Sequence, residues 1–152
     1  MTTIPSFSNP DQALIHHFLA GDGTSVAMDG NPLSRALQCS LHCINEKRDR
    51  IEVEFEPDAL FIQGTNVLQG GAVSAMLDFA MAFVTLAHIP RGTNCSTVDM
   101  STSFLRPAPK GRYRAIGELD RCGKSLAFAR ARLLRCDNEM LVATASSTLT
   151  LF

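Results

Sequence analysis

Between Ala59 and Pro90 the only Asp, Glu, Lys or Arg is Asp78. It falls in the middle of an apolar run whose spacing predicts a long helix, and Asp is a poor interior helix residue. An unpaired carboxylate in such surroundings is expensive. Its chemistry would be that of a general base or a carboxylate nucleophile. A hydrogen bond to a neighbouring loop, or a place in a subunit interface, would explain it as well. Eight residues earlier Gly70-Gly71 opens the same helix. The first backbone N–H groups of a helix have no intrahelical acceptor and attract negative charge. Without side chains they could approach a substrate carbonyl and serve as an oxyanion hole. Gln63, seven residues before Gly70, falls in a loop and could hydrogen-bond water or substrate. Taken singly, Gly-Gly reads as a plain turn and Gln63 as a surface residue.

These residues need elements to position them. Asn9-Pro10 reads as an N-cap followed by proline at the first helical position, with Leu14, Ile15, Phe18 and Leu19 at helical spacing and Gly21 as the stop. The stretch to Pro32 reads as a loop. Ala36 to Asn45 and Ile51 to Phe55 read as strands; the second alternates Ile51, Val53 and Phe55 with Glu52, Glu54 and Glu56. A helix from Gly70 to about Ala87 is apolar on nearly every side, which predicts burial all round. Strands follow at Ser96 to Leu105, Tyr113 to Leu119, Leu126 to Leu134 and Leu141 to Leu151. A single buried helix needs a sheet that wraps it. The expected class is α+β, an antiparallel sheet curled around one long central helix, plus a short N-terminal helix. The expected division is an N-terminal helix and loop over 1–34 and one domain over 35–152. The exposed helix flank would be covered by a second copy of the chain.

The 152 residues fit one domain, and 45% apolar against 19% charged residues suffice for a core. With 14 basic and 15 acidic side chains the net charge is −1, which leaves no footprint for nucleic acid. The five cysteines, Cys39, Cys43, Cys95, Cys122 and Cys136, form no C-x-x-C pair and have no histidine at zinc-like spacing. Free thiols in a reducing compartment are expected, and no metal. The N-terminus has neither a basic nor an apolar signal region. The best candidate for a membrane span carries Asp78 near its centre, at a high cost in lipid. A cytoplasmic protein without membrane partners is the resulting expectation.

The segment Gln63-x6-Gly70-Gly71-x6-Asp78, followed by Thr97-Val98-Asp99 and Phe104-Leu105-Arg106-Pro107, resembles the hotdog thioesterase superfamily. It is most similar to the phenylacetate-pathway and 4-hydroxybenzoyl-CoA thioesterases. The resemblance covers roughly residues 35–152. It implies Asp78 as catalytic carboxylate, Gly70 as oxyanion donor, Gln63 as orienting amide and Thr97 as support for Asp78 or water. The family writes His-Gly-Gly at the helix entrance, and here Gln69 stands in place of that histidine. The position one turn after the carboxylate, a threonine in one branch, is Ala82. None of His16, His17, His42 or His88 sits at the motif position, which counts against the dehydratase branch of the fold.

The implied reaction is hydrolysis of acyl-CoA or aryl-CoA thioesters. It uses no cofactor, since coenzyme A is part of the substrate. The family's geometry takes Gln63 and Gly70 from one subunit and Asp78 from its neighbour, so a homodimer or homotetramer is expected. Gln69, Gly71 and Asn66 are candidate substrate contacts at the helix entrance. CoA phosphates need cations; Arg106, Arg121 and Lys124 are the candidates, with Arg112 and Arg114 nearby. The competing reading is a non-catalytic acyl-CoA-binding or sensing module.

Overall fold

The computed structural model describes residues 7–152. Its order is α1 (Pro10–Ala20), β1 (Val26–Ala27), α2 (Pro32–Ala36), β2 (Ser40–Ile44), β3 (Arg50–Phe55), a 3-10 turn at Ala59–Phe61 and α3 (Gly70–His88). Four long strands follow: β4 (Cys95–Phe104), β5 (Tyr113–Cys122), β6 (Leu126–Arg135) and β7 (Leu141–Leu151). All seven strands form one antiparallel sheet in the order β1-β2-β3-β5-β6-β7-β4. The sheet curls around α3, so the expected α+β hotdog architecture is the observed one.

The inner face of the sheet explains why the helix fits. Opposite α3, β5, β6 and β7 present small residues: Ala115, Ala127, Ala129, Ala131, Ala143 and Ala145, all buried. Gly117 is the closest point of approach. A Cβ built there would lie 2.4 Å from the Ala80 carbonyl oxygen. Small residues on the sheet let the large ones come from the helix: Met76, Leu77, Met81, Phe83 and Val84 are buried against it. On β3 the predicted alternation holds. Ile51, Val53 and Phe55 point inward, while Glu52 and Glu54 pair outward with Arg50 and Arg112.

The N-terminal helix is docked by one buried polar side chain. The Gln12 carboxamide donates to the carbonyls of Leu86 (3.4 Å) and Pro90 (3.1 Å) and accepts from the Gly92 N–H (3.1 Å). It thereby satisfies the Leu86 carbonyl, whose intrahelical partner would be the N–H that Pro90 lacks, and adds a second donor to the Pro90 carbonyl just past the helix, which also accepts from the Thr93 N–H.

Two expectations need correction. The stretch before Pro32 is not all loop, and Ala36 does not begin a strand. Val26–Ala27 pairs with β2, and Pro32–Ala36 is a short helix capped by Asn31, whose side chain accepts from the Ser34 N–H. Nor is α3 buried all round. Gly71, Ser74, Ala75, Asp78 and Ala82, spaced three or four apart, keep one narrow stripe of it partly open. By length and mean hydropathy (1.6) Gly70–His88 could cross a membrane. Here the apolar surface of that helix faces the sheet.

Candidate active site

The α3 stripe is flanked by β4, the sheet's last strand. Cys95 Sγ lies 3.8 Å from the Ala82 carbonyl, Thr97 meets Asp78, and the Phe104 ring stands 3.5 Å from where a Gly70 Cβ would be. Residues 95 and 97 are odd and 104 is even, so a regular strand could not turn all three toward one helix. The register supplies the reason. Thr97 faces Leu149 and Asp99 faces Thr148, which makes Val98 an extra residue in a β-bulge. The bulge changes parity between Thr97 and Phe104 and leaves Val98 62% exposed.

At the helix entrance, the loop before Gly70 is fixed at several points. Gln63 N–H donates to the Val67 carbonyl and Asn66 N–H to the Gln63 carbonyl. Asn66 takes a left-handed φ of 66°, which asparagine tolerates better than most residues. Leu68 N–H donates to the Ala108 carbonyl, and Val67 bridges to Pro109, so the loop is stitched to the β4–β5 turn. Between loop and turn lies a cavity of about 570 Å³. Gln63, Gly70, Val73, Phe104 and Arg106 are among the residues that line it.

The polar groups around this cavity have defined valences. The Gln63 side-chain oxygen, Oε1, accepts from the Thr65 N–H (3.1 Å), so its NH2 is the part free to act. Arg106 donates through Nη1 to the Leu141 carbonyl (2.7 Å). Gln69 is the N-cap of α3, and its side-chain oxygen accepts from the Gly71 N–H. Ala72 and Val73 N–H both reach the Gln69 carbonyl. Among the described residues, the Gly70 N–H alone in this first turn has no partner. It presents the positive end of a 19-residue helix.

Asp78 stands elsewhere. Thr97 Oγ1 donates to Asp78 Oδ1 at 2.8 Å, and the pair is open to the outside of the chain. Cys95 lies beside it, and burial first, then the Asp78 carboxylate and Cys122, push that thiol up to about 12. It is therefore no nucleophile near neutral pH. Asp78 and Gly70 are eight residues apart on one helix, which separates them by about 12 Å. One carbonyl cannot touch both groups of a single chain.

The structure thus brings Gln63, Gly70 and Arg106 to one cavity and joins Thr97 to Asp78 at a second point. Asn66 and Gln69 stand on the exposed side of the entrance. Arg121 and Lys124 belong to the β5–β6 hairpin, and Lys124 shares a cavity with His88 and Thr93 at the far end of α3. That is roughly 27 Å along the helix from Gly70. Arg112 and Arg114 are paired with Glu54 and Glu139. The contribution of Phe104, whose ring covers Gly70, was not foreseen from sequence. The bulge that sets it over Gly70 has no local sequence mark.

Known proteins repeat this arrangement of chain. Residues 65–142, about half of the sequence, match the family model described as thioesterase superfamily. A provisionally named esterase of Thermoplasma volcanium is 37% identical over 81 residues, covering 53% of this chain and 59% of that protein. The chain thus matches only about three fifths of that relative's length. The medium/long-chain acyl-CoA thioesterase YigI of Escherichia coli K12 is 24% identical over 130 residues, 77% of this chain and 83% of that one. Among solved structures, a phenylacetic acid degradation-related protein of Ralstonia eutropha JMP134 superposes with a TM-score of 0.77. It is 26% identical and covers 90% of this chain and 98% of its own. The family match spans the helix entrance, Asp78 and the bulged strand alike, and with it this chain belongs to the thioesterase superfamily.

Proposed function

We propose that the protein hydrolyses acyl-CoA or aryl-CoA thioesters to the free acid and CoA, at sites completed by two copies of the chain. The observation that carries this reading is the pairing of a free Gly70 N–H at the cavity with a Thr97-held Asp78 about 12 Å along the same helix. Two antiparallel copies of α3, meeting along the open stripe of Gly71, Ser74, Ala75 and Asp78, would bring the Gly70 of one to the Asp78 of the other. The exposed edge of β4 would let the sheet continue between them.

In this account the Gly70 N–H polarises the thioester carbonyl and stabilises the oxyanion as it forms. Asp78 of the second chain takes a proton from water as the water adds to the carbonyl carbon. Alternatively it attacks that carbon itself to give an anhydride that water then opens. The C–S bond breaks and CoA leaves as the thiol, its sulfur taking the proton held by Asp78 in the first route or one from water in the second. Thr97 fixes the carboxylate. Gln63, its oxygen already engaged, donates from its NH2 to substrate or water. Val73, Leu68 and Phe104 provide an apolar wall, and Arg106 provides a cation at the mouth for CoA phosphate. The reaction needs no cofactor. The expected partners are the small-molecule thioester and a second copy of the chain, and a cytoplasmic setting would supply the substrate.

The test is thiol release from a panel of acyl-CoA and aryl-CoA esters by the wild type and Asp78→Asn. Turnover that the substitution removes is the expected result. Tight ester binding without turnover in the wild type would replace the enzyme by an acyl-CoA-binding module.

A further inference from the structure

The two walls of the cavity beside Gly70 come from segments outside the regular elements. Thr65, Val67 and Leu68 belong to the loop before α3, and Leu105, Pro107 and Ala108 to the β4–β5 turn. The walls are tied to each other where the Leu68 N–H donates to the Ala108 carbonyl at 2.7 Å. Segments with few backbone bonds of their own open most easily, so what fixes them to the sheet matters. One end of the turn is fixed by backbone: the Leu105 and Arg106 N–H groups both donate to the Val142 carbonyl, at 2.9 and 3.2 Å. Further along, the turn has less of its own to offer, because Pro107 and Pro109 carry no N–H.

There a side chain takes over. Tyr113 opens β5 and is fully buried on the inner face of the sheet, in line with the apolar Ala115. Phenylalanine would fill the same space with no polar atom to satisfy. A buried phenol hydroxyl is costly unless it is bonded. The Tyr113 hydroxyl donates to the Pro109 carbonyl, one residue from the carbonyl that holds Leu68. Burial pushes the phenol up to about 12, so the hydroxyl keeps its proton, and its power to donate, across the neutral range. A side chain locked in the core is thus linked to both walls through two neighbouring carbonyls.

Building on the thioesterase reading, we propose that Tyr113 is a positioning residue, whose hydroxyl, through the Pro109 carbonyl, holds both walls of the cavity in the place that receives the thioester. It touches no reacting atom. Gly70 and Asp78 are set by α3, and the Gln63 backbone by its own bonds to Val67 and Asn66. Loss of the hydroxyl therefore loosens the walls and leaves the reacting groups where they are.

Tyr113→Phe deletes the hydroxyl and keeps the buried ring. The melting temperature should fall by about 2–4 °C, the scale of one lost hydrogen bond in a chain of this size. Hydrogen exchange read by mass spectrometry should quicken at residues 65–69 and 105–112 and stay unchanged in β6. Thiol release on the best thioester should show KM raised about 3- to 10-fold with kcat within about twofold, the signature of lost binding shared by ground and transition states. A hydrogen bond that served stability alone would lower the melting temperature and move neither KM nor exchange in the loop before α3. Wild-type turnover combined with a Tyr113→Phe variant of equal KM, or of equal exchange at residues 65–69, overturns the proposal and leaves the thioesterase reading standing. A wild type with no turnover on any thioester overturns the underlying reading and this proposal together.

Discussion

Gly70→Pro removes one hydrogen-bond donor and little else. Proline has no N–H, and the first helical position is the one place in a helix where it costs nothing. Gly70 is that position in α3. Proline also restricts the residue before it to extended backbone. Gln69 already has φ −63° and ψ 139°. The added Cβ has room as well, since at 70 it meets only the edge of the Phe104 ring at 3.5 Å, an ordinary contact. Replacing glycine where proline fits stabilises by about 0.4–1 kcal/mol through the unfolded chain. The melting temperature should therefore hold or rise slightly. Catalysis should not. Loss of one oxyanion donor costs on the order of 10²–10³ in kcat, or about 2.7–4 kcal/mol. Thiol-release kinetics on the best thioester, with kcat and KM separated, reads the effect, and Gly70→Ala is the control for bulk. Alanine retains the N–H and should lose far less. A folded Gly70→Pro enzyme whose kcat stays within about threefold of wild type would refute the oxyanion role of Gly70.

Other consequences are equally direct. Thr97→Val deletes the 2.8 Å hydrogen bond to Asp78 while keeping the side-chain shape. Such bonds to charged groups are worth about 1.5–3 kcal/mol when buried and less at an open site, so kcat should fall about 5- to 10-fold with KM nearly constant. Gly117→Ala places a methyl group 2.4 Å from the Ala80 carbonyl oxygen and should cost about 1–3 kcal/mol of stability by forcing β5 off the helix, read by chemical denaturation. The Cys95 thiol, raised to about 12 chiefly by burial, stays protonated at pH 8. It should be alkylated by iodoacetamide far more slowly than the exposed Cys43, as followed by peptide mass spectrometry.

Much of the fold is legible in the chain because its signals are local and strong. The Asn9-Pro10 start, the alternation of β3 and the uncharged run around Asp78 each reflect a single physical rule, and the elements stand where those rules put them. Asn31-Pro32 carries the same cap signature as Asn9-Pro10 and begins α2, although its Gly- and Asp-rich surroundings read as loop. The burial of α3 is overestimated by composition, because alanine and glycine line both the sheet contact and the open stripe, and sequence does not separate the two. In the candidate site, Asp78, Gly70 and Gln63 stand out by type and spacing. Thr97, the partner of Asp78, is named by the resemblance; the place of Phe104 over Gly70 is another matter. It depends on a bulge at Val98, and a bulge is a property of strand register across β4 and β7, 50 residues apart at Val98 and Thr148. Gln69 reads in sequence as a missing histidine; only the hydrogen bond to Gly71 makes it a cap.

The central claim is that Gly70 of one chain and Asp78 of another act on the same carbonyl. Co-expressing Gly70→Pro and Asp78→Asn chains with different affinity tags, and purifying the mixed dimer through both, tests it directly. Each parent homodimer lacks one group at both of its sites and should be inactive. The mixed dimer has one site with both groups intact and should turn over thioester at about half the wild-type rate per dimer. A mixed dimer no more active than its parents would contradict the composite site.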